Sequence, residues 1–216
     1  MAQDESSMEA DLVSDNTDQN ARHTEKMKKI KAARDRMMAN KTEEKGLIMV
    51  HTGPGKGKSS SGFGMIMRCI SHGMPCAVVQ FIKGAMATGE RAFLEQHFPD
   101  ECKFYVSGEG FTWETQDRQR DIAAAEAAWA VTQEMLRDPT IGLVILDELN
   151  IALKHGYLDL ERVLSDLQAR PPMQHVVITG RGAKQELIDL SDTVSEIGVI
   201  KHAFQAGIKA QKGIEL

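Results

Sequence analysis

Hydrophobic positions along this chain of 216 residues fall in short blocks, and the spacing inside each block sets the element it predicts. An apolar run from Leu47 to Val50 reads as a strand. After a glycine-rich stretch, Phe63, Met65, Ile66, Met67 and Ile70 follow a helical rhythm that ends near His72-Gly73, a residue pair suited to a helix C-terminus. Cys76 to Ile82 predicts a second strand, Thr88 to Gln96 a short helix and Lys103 to Val106 a third strand. The clearest helix spans Asp117 to Arg137, with Ile122, Ala125, Trp129 and Leu136 on one stripe. Ile141 to Leu146 is unbroken apolar sequence, as expected of a strand covered on both faces. A helix from Leu158 to Ala169 stops at Pro171-Pro172; strands follow at Gln174 to Thr179 and Thr193 to Ile200, and Lys201 to Leu216 is a polar, glycine-punctuated tail that could fold over a site. Strand and helix patterns alternating in this way predict an α/β protein built on a mostly parallel sheet flanked by helices.

The first 45 residues break the pattern. Residues 1–21 carry six carboxylates before any basic residue and little that could pack, which predicts a disordered acidic leader. From Arg22 the sign reverses: Lys26, Lys28, Lys29, Lys31, Arg34, Arg36 and Lys41 surround Met27, Ile30 and Met37 at helical spacing, so residues 22–45 read as a basic amphipathic arm. It could pack on its own domain or cover a phosphate-rich site, on this subunit or a partner. Residues 46–216, with 42% of the whole chain hydrophobic, are enough for one core. A formal net charge of −5 argues against a protein that coats nucleic acid. There is no apolar run of membrane-spanning length and no basic-then-apolar leader, so a cytoplasmic protein without membrane contact is expected. Cys69, Cys76 and Cys102 form no metal-type pair and read as structural thiols, and the seven histidines show no ligand spacing.

The chemistry concentrates after the first strand. Thr52-Gly-Pro-Gly-Lys-Gly-Lys-Ser-Ser60 nearly matches the phosphate-loop spacing G-x-x-x-x-G-K-[ST], with Thr52 in the place of the first glycine. Glycines let successive amides face one centre, Lys58 brings a mobile cation, Ser59 a hydroxyl for Mg²⁺, and the following helix its positive end. The apolar run that ends in Asp147-Glu148 supplies the second half of a nucleotide site, since carboxylates at a strand edge can hold Mg²⁺ directly or through water. Lys83 and Arg181 lie just past predicted strands and so belong to the same carboxyl edge, as phosphate ligands or as ordinary surface cations. Phe111 and Trp113, two apart among glycines, point to one side; they either anchor the next helix or line a pocket for a large flat ligand.

Taken together, the Thr52–Ser60 loop, Gln80-Phe-Ile-Lys-Gly84, Gly110-Phe-Thr-Trp113 with Thr115-Gln-Asp117, Leu146-Asp-Glu-Leu-Asn150, Thr179-Gly-Arg-Gly182 and Gln211-Lys-Gly-Ile-Glu215 resemble the P-loop ATP:cob(I)alamin (corrinoid) adenosyltransferases of the CobA/BtuR-like kind, from about Arg22 onward. The resemblance implies a RecA-like P-loop sheet and transfer of the 5′-deoxyadenosyl group of ATP to Co(I) of a corrinoid, with release of triphosphate. It further implies that ATP lies reversed in the loop. The loop residues Thr52, Gly53, Pro54, Gly55, Lys56, Gly57, Lys58, Ser59 and Ser60, with Lys83 and Arg181, would hold the nucleotide. Ser59, Glu148 and Asp147 would hold Mg²⁺ or Mn²⁺. Lys58 would act on the leaving group, and Phe111 and Trp113 would take the lower axial face of the corrinoid. Pro54 stands where many members carry Asn and removes one N–H donor. The implied partners are a reduced corrinoid, an electron donor such as a flavoprotein, and a second subunit in a homodimer whose site the basic arm would close.

Overall fold

A computed structural model describes residues 2–81, 88–107 and 117–214, the backbone alone over 2–18. It divides into two compact units, Met1–Glu44 and Lys45–Leu216. In the first, a single helix α1 runs from Ala2 to Ala39, straight through the stretch expected to be a disordered leader. The reason is local: no proline or glycine occurs before Gly46, so nothing in the sequence interrupts the helix that the basic arm begins. Along its second half Met27, Ile30 and Met37 are exposed on the helix surface.

The second unit is a parallel sheet between two helical layers. Its strands are β1 (Ile48–Thr52), β2 (Cys76–Gln80), β3 (Cys102–Val106), β4 (Leu143–Asp147), β5 (His175–Thr179) and β6 (Thr193–Glu196), in the order β3-β2-β4-β5-β1-β6, and every pairing is parallel. The helices are α2 (Lys58–Ser71), α3 (Gly89–His97), α4 (Arg118–Arg137), α5 (Leu149–Lys154), α6 (Leu160–Gln168) and α7 (Gln185–Leu190). All five residues of β2 and of β4 are buried, because alternate side chains enter opposite layers. Val79, Leu146 and Ile178 pack with Trp129 and Leu136 of α4 and with α5, α6 and α7; Val78, Ile145 and Val177 pack with Phe63 and Ile66 of α2 and Leu94 of α3. Trp129 is core as the helical stripe predicted, and its indole N–H donates to Asp166 at 2.9 Å.

Two differences from the sequence reading bear on the site. The short helices α5 and α7 escape the periodicity because six residues hold too few turns to show a stripe. The last strand ends at Glu196 and does not reach Ile200, since the chain there leaves the sheet to grip the loop after β1: the Ile197 N–H donates to the Thr52 carbonyl at 2.9 Å and the Gly55 N–H donates to the Ile197 carbonyl at 2.7 Å.

At the opposite edge the start of β1 is held by side chains. The Leu47 N–H donates to His175 Nδ1 at 3.0 Å, and the Ile48 N–H donates to Asp192 Oδ2 at 2.9 Å. Arg170 donates to the Gly46 carbonyl at 2.7 Å. His175 can accept only while neutral. Burial, and then the charge of Arg170, hold its pKa below the ordinary histidine value. A depressed histidine favours folding fully above its unfolded pKa of about 6.5, and that contribution declines as pH falls through this value toward the folded one. The unfolding free energy is therefore expected to drop between about pH 7 and pH 5, and His175→Asn, which keeps an acceptor but does not titrate, should flatten that slope in urea titrations; an unchanged slope would assign it to other groups.

Candidate active site

The strand order brings the chemistry together. β5 lies between β1 and β4, so the loop after β1, the acidic end of β4 and the Gly180-Arg181-Gly182 turn after β5 meet at one carboxyl edge. Between them is a cavity of about 550 Å³ lined by Gly55, Lys56, Gly57, Lys58, Ser59 and Ser60 of the loop, by Glu148 and Arg181, by Thr88, Gly89 and Glu90 at the start of α3, and by Gly213 and Ile214 of the tail.

The loop is shaped by its attachments. Gly53 has φ of 95°, and a Cβ there would come within 2.6 Å of the Ile197 carbonyl oxygen, so both conformation and space require glycine. Thr52, in the place of the pattern's first glycine, is the last residue of β1, paired with Glu196, and its hydroxyl accepts from the Ala183 N–H at 3.3 Å, which ties the Arg181 turn to the loop. Pro54 has no N–H, and that of Gly55 is taken by Ile197, so the amides that remain to meet an anion lie toward Lys56 and the N-terminus of α2. Lys58 is 7% exposed and donates to the Gly55 carbonyl. Burial pushes its pKa below the ordinary lysine range; Glu148 pulls it back up, Arg181 adds to the lowering, and Asp147 opposes it. The ammonium thus sits within the field of both acids and the second cation. Ser61, one turn into α2, donates to the Lys58 carbonyl at 2.7 Å and lies 2.7 Å from His51 Nδ1.

The two acids are not equivalent. Asp147 is fully buried, and both of its carboxylate oxygens accept hydrogen bonds: from the Thr179 hydroxyl at 2.7 Å and from Gln80 Nε2 at 2.8 Å. The Thr179 oxygen in turn accepts from the Glu148 N–H at 3.0 Å. Glu148 has φ of 63°, the one positive-φ non-glycine residue among those described. That backbone turns the chain out of β4 and places Glu148 on the cavity wall. Gly180, with φ of 119°, makes room: a Cβ there would lie 3.0 Å from Glu148 Oε2. A left-handed non-glycine residue costs on the order of 1–3 kcal/mol and marks a position whose side-chain direction matters.

Of the residues singled out in the sequence, Gly55, Lys56, Gly57, Lys58, Ser59, Ser60, Glu148 and Arg181 share the cavity. Thr52 and Gly53 are buried behind it, and Asp147 backs the site through its buried network. Lys83, Phe111 and Trp113 lie outside the described residues. Sequence reading missed Thr88 and Glu90, whose only signal was a helix-capping pattern: the Thr88 hydroxyl accepts from the Arg91 N–H at 3.4 Å. It also missed Thr179 as the partner of both acids. Among the described residues no cluster of three or more His, Cys, Asp or Glu could hold a metal ion, so any cation here would need oxygen donors from its ligand and from water as well.

A parallel sheet that delivers a glycine loop with an inturned lysine and, two strands away, an acid to the same cavity defines a P-loop nucleotide-binding protein. Residues 44–216 match the family model described as ATP:corrinoid adenosyltransferase BtuR/CobO/CobP, and residues 8–38 match that of the cob(I)alamin adenosyltransferase N-terminal region; the chain belongs to the ATP:corrinoid adenosyltransferase family. Similar proteins include the corrinoid adenosyltransferase of Pseudomonas aeruginosa, 60% identical over 94% of this chain and 100% of that protein. That of a Sinorhizobium species is 61% identical over 90% and 92%, and CobA of Salmonella typhimurium 48% identical over 90% and 97%. Among solved structures, a RadB recombinase aligns with TM-score 0.42 and 14% identity over 73% of this chain and 77% of its own.

The buried acid network predicts a specific vulnerability. Thr179→Val is nearly isosteric but removes the hydroxyl that donates to Asp147 Oδ1 and accepts from the Glu148 N–H, so it is expected to cost about 2 kcal/mol or more of stability and to lower activity. Thr179→Ser should recover most of both, as measured by chemical denaturation and turnover.

Proposed function

We propose that this chain transfers the 5′-deoxyadenosyl group of ATP to the cobalt of a reduced corrinoid, in adenosylcobalamin biosynthesis or salvage. Co(I) attacks C5′, a cobalt–carbon bond forms, the C5′–O bond breaks, and inorganic triphosphate leaves with the bonding electron pair. The observation that carries this reading is the cavity around the loop, in a chain that matches the adenosyltransferase family over residues 44–216. Lys56, Lys58 and Arg181 all flank the place of the phosphate chain, where negative charge grows as the C5′–O bond opens. Holding ATP so that C5′, and not the γ-phosphorus, faces the acceptor turns those cations toward the leaving group.

The donor set fits a hard divalent cation. Ser59 offers a hydroxyl and Glu148 a carboxylate on the same wall, oxygen ligands of the kind Mg²⁺ and Mn²⁺ accept beside phosphate. Asp147, with both oxygens already engaged by Thr179 and Gln80, positions Glu148 and supplies charge from behind. When bound, the cation would neutralise the polyphosphate. Thr52 and Ala183 hold Arg181 in line with the loop, while Gly53 and Pro54 set the loop's path.

Phe111 and Trp113 take the lower axial side of the corrinoid in this reading. They offer no lone pair to cobalt and so favour the four-coordinate Co(II) that a cellular donor such as a flavoprotein can reduce. Lys83 adds a cation at the same edge. The helical arm closes the site of a second subunit in a homodimer, and the enzyme works in the cytoplasm; none of the described helices is long and apolar enough to cross a membrane.

Anaerobic incubation with ATP and Co(I) corrinoid should give an alkylcobalt absorbance and one triphosphate per turnover, whereas ADP and orthophosphate would identify an ordinary NTPase. Lys58→Ala is expected to lower kcat/KM by on the order of 10²-fold or more. Trp113→Ala should lose activity chiefly when Co(II) must be reduced in the site, and much less with chemically prepared Co(I); equal losses would remove the axial role.

A further inference from the structure

Beyond Gly55 and Lys56 the nucleotide cavity has a neighbour. A second pocket, of about 250 Å³, is lined by these two residues and by Gly198, Val199, Lys201, His202 and Ala203. The two pockets therefore share Gly55 and the exposed Lys56 in their linings. Their charge differs. Glu90 and Glu148 contribute to the walls of the larger cavity, while among the described residues the smaller pocket is lined by Lys56, Lys201 and His202 and by no acid.

The histidine is oriented for donation. Its Nδ1 accepts the Phe204 N–H at 3.1 Å, as the cap of the short 3₁₀ turn Ala203–Ala206, so the proton of the neutral ring is on Nε2 and that nitrogen is a donor. The segment that carries these groups is also fastened to the phosphate loop, since the Gly55 N–H donates to the Ile197 carbonyl immediately before Gly198. Pocket and loop are held in one geometry.

We propose that this pocket is a second polyphosphate subsite, which receives inorganic triphosphate as it leaves the nucleotide cavity; the identity of the ligand rests on the adenosyl-transfer reading above. The chemistry requires some such route. A polyanion that a phosphate loop holds well enough to serve as a leaving group is, for the same reason, slow to depart. A neighbouring set of cations, free of the carboxylates that crowd the first site and reached through a shared lysine, lets the chain exchange one set of contacts for another as it leaves. ATP, whose phosphates end in an adenosine directed to the acceptor, has less to gain from it.

Isothermal titration calorimetry with inorganic triphosphate, ATP and orthophosphate on the full chain tests this. Lys201→Gln removes a cation, and His202→Asn keeps an acceptor for the Phe204 N–H while deleting the Nε2 donor. Each is expected to weaken triphosphate binding about tenfold, to leave ATP binding within about twofold and to leave the thermal melt unchanged. The triphosphate Ki against ATP should rise in parallel while kcat holds or falls. Unchanged triphosphate affinity overturns the proposal. So does an equal loss for ATP, which would make the pocket part of the nucleotide site, or an equal loss for orthophosphate, which would make it an unselective anion patch. Because these are binding measurements, a chain that passes them yet forms no alkylcobalt product keeps the subsite and loses the reaction assigned above.

Discussion

A backbone loop that must aim several amides at one anion has to be held in shape before the anion arrives, and holding it costs conformational entropy of about 1–2 kcal/mol per residue fixed. Here the loop after β1 is fastened on two sides. Ile197 donates to the Thr52 carbonyl and accepts from the Gly55 N–H, while the Thr52 hydroxyl takes the Ala183 N–H. The first pair makes the loop an extension of the edge strand β6; the second makes it an extension of the turn after β5. The residues that look irregular in the motif, Thr52 and Pro54, lie in this fastened part. The regular ones, from Lys56 to Ser60, are left to face the cavity.

The same economy governs the acids. A strand directs successive side chains to opposite sides, so Asp147 and Glu148 cannot both reach a ligand from a straight β4. Asp147 stays within the sheet, held by one donor from β2 and one from β5. Glu148 is turned outward by a left-handed backbone, with its N–H secured to the same threonine that binds Asp147. Thr179 therefore couples the buried charge to the placement of the outer one. The neighbouring strands that give the sheet its order also give the site its acid.

Much of this was legible in the sequence, and the limits follow from what a sequence pattern can encode. The parallel sheet and its buried strands showed as unbroken apolar runs such as Ile141 to Leu146, because both faces are covered. Trp129 and Ala125 showed as a helical stripe. The loop and Asp147-Glu148 showed because their chemistry needs fixed residue types at fixed spacing. What remained hidden depends on contacts between distant segments: the grip of Ile197 on the loop, 142 positions after Gly55 by subtraction of their numbers, the double role of Thr179, and Glu90 brought to the cavity by α3. The acidic N-terminal residues were read as disordered from their charge; they hold no proline or glycine, and α1 spans Ala2–Ala39.

The placement of charge argues for where the bond breaks. In the cavity the cations Lys56, Lys58 and Arg181 belong to the loop and the adjoining turn, where the phosphate chain would lie in the proposed reading, and the buried lysine feels the opposing fields of Glu148 and Asp147 and of Arg181. A site that moves the γ-phosphoryl group needs a nucleophile or water oriented at its far end, and the cavity groups that could serve are the carboxylates Glu90 and Glu148 and the helix-capping Thr88. A site that expels the whole triphosphate needs only that the chain's growing charge be met along its length. The cations on the cavity wall, Lys56, Lys58 and Arg181, suit that second requirement, the one that the proposed transfer to cobalt imposes.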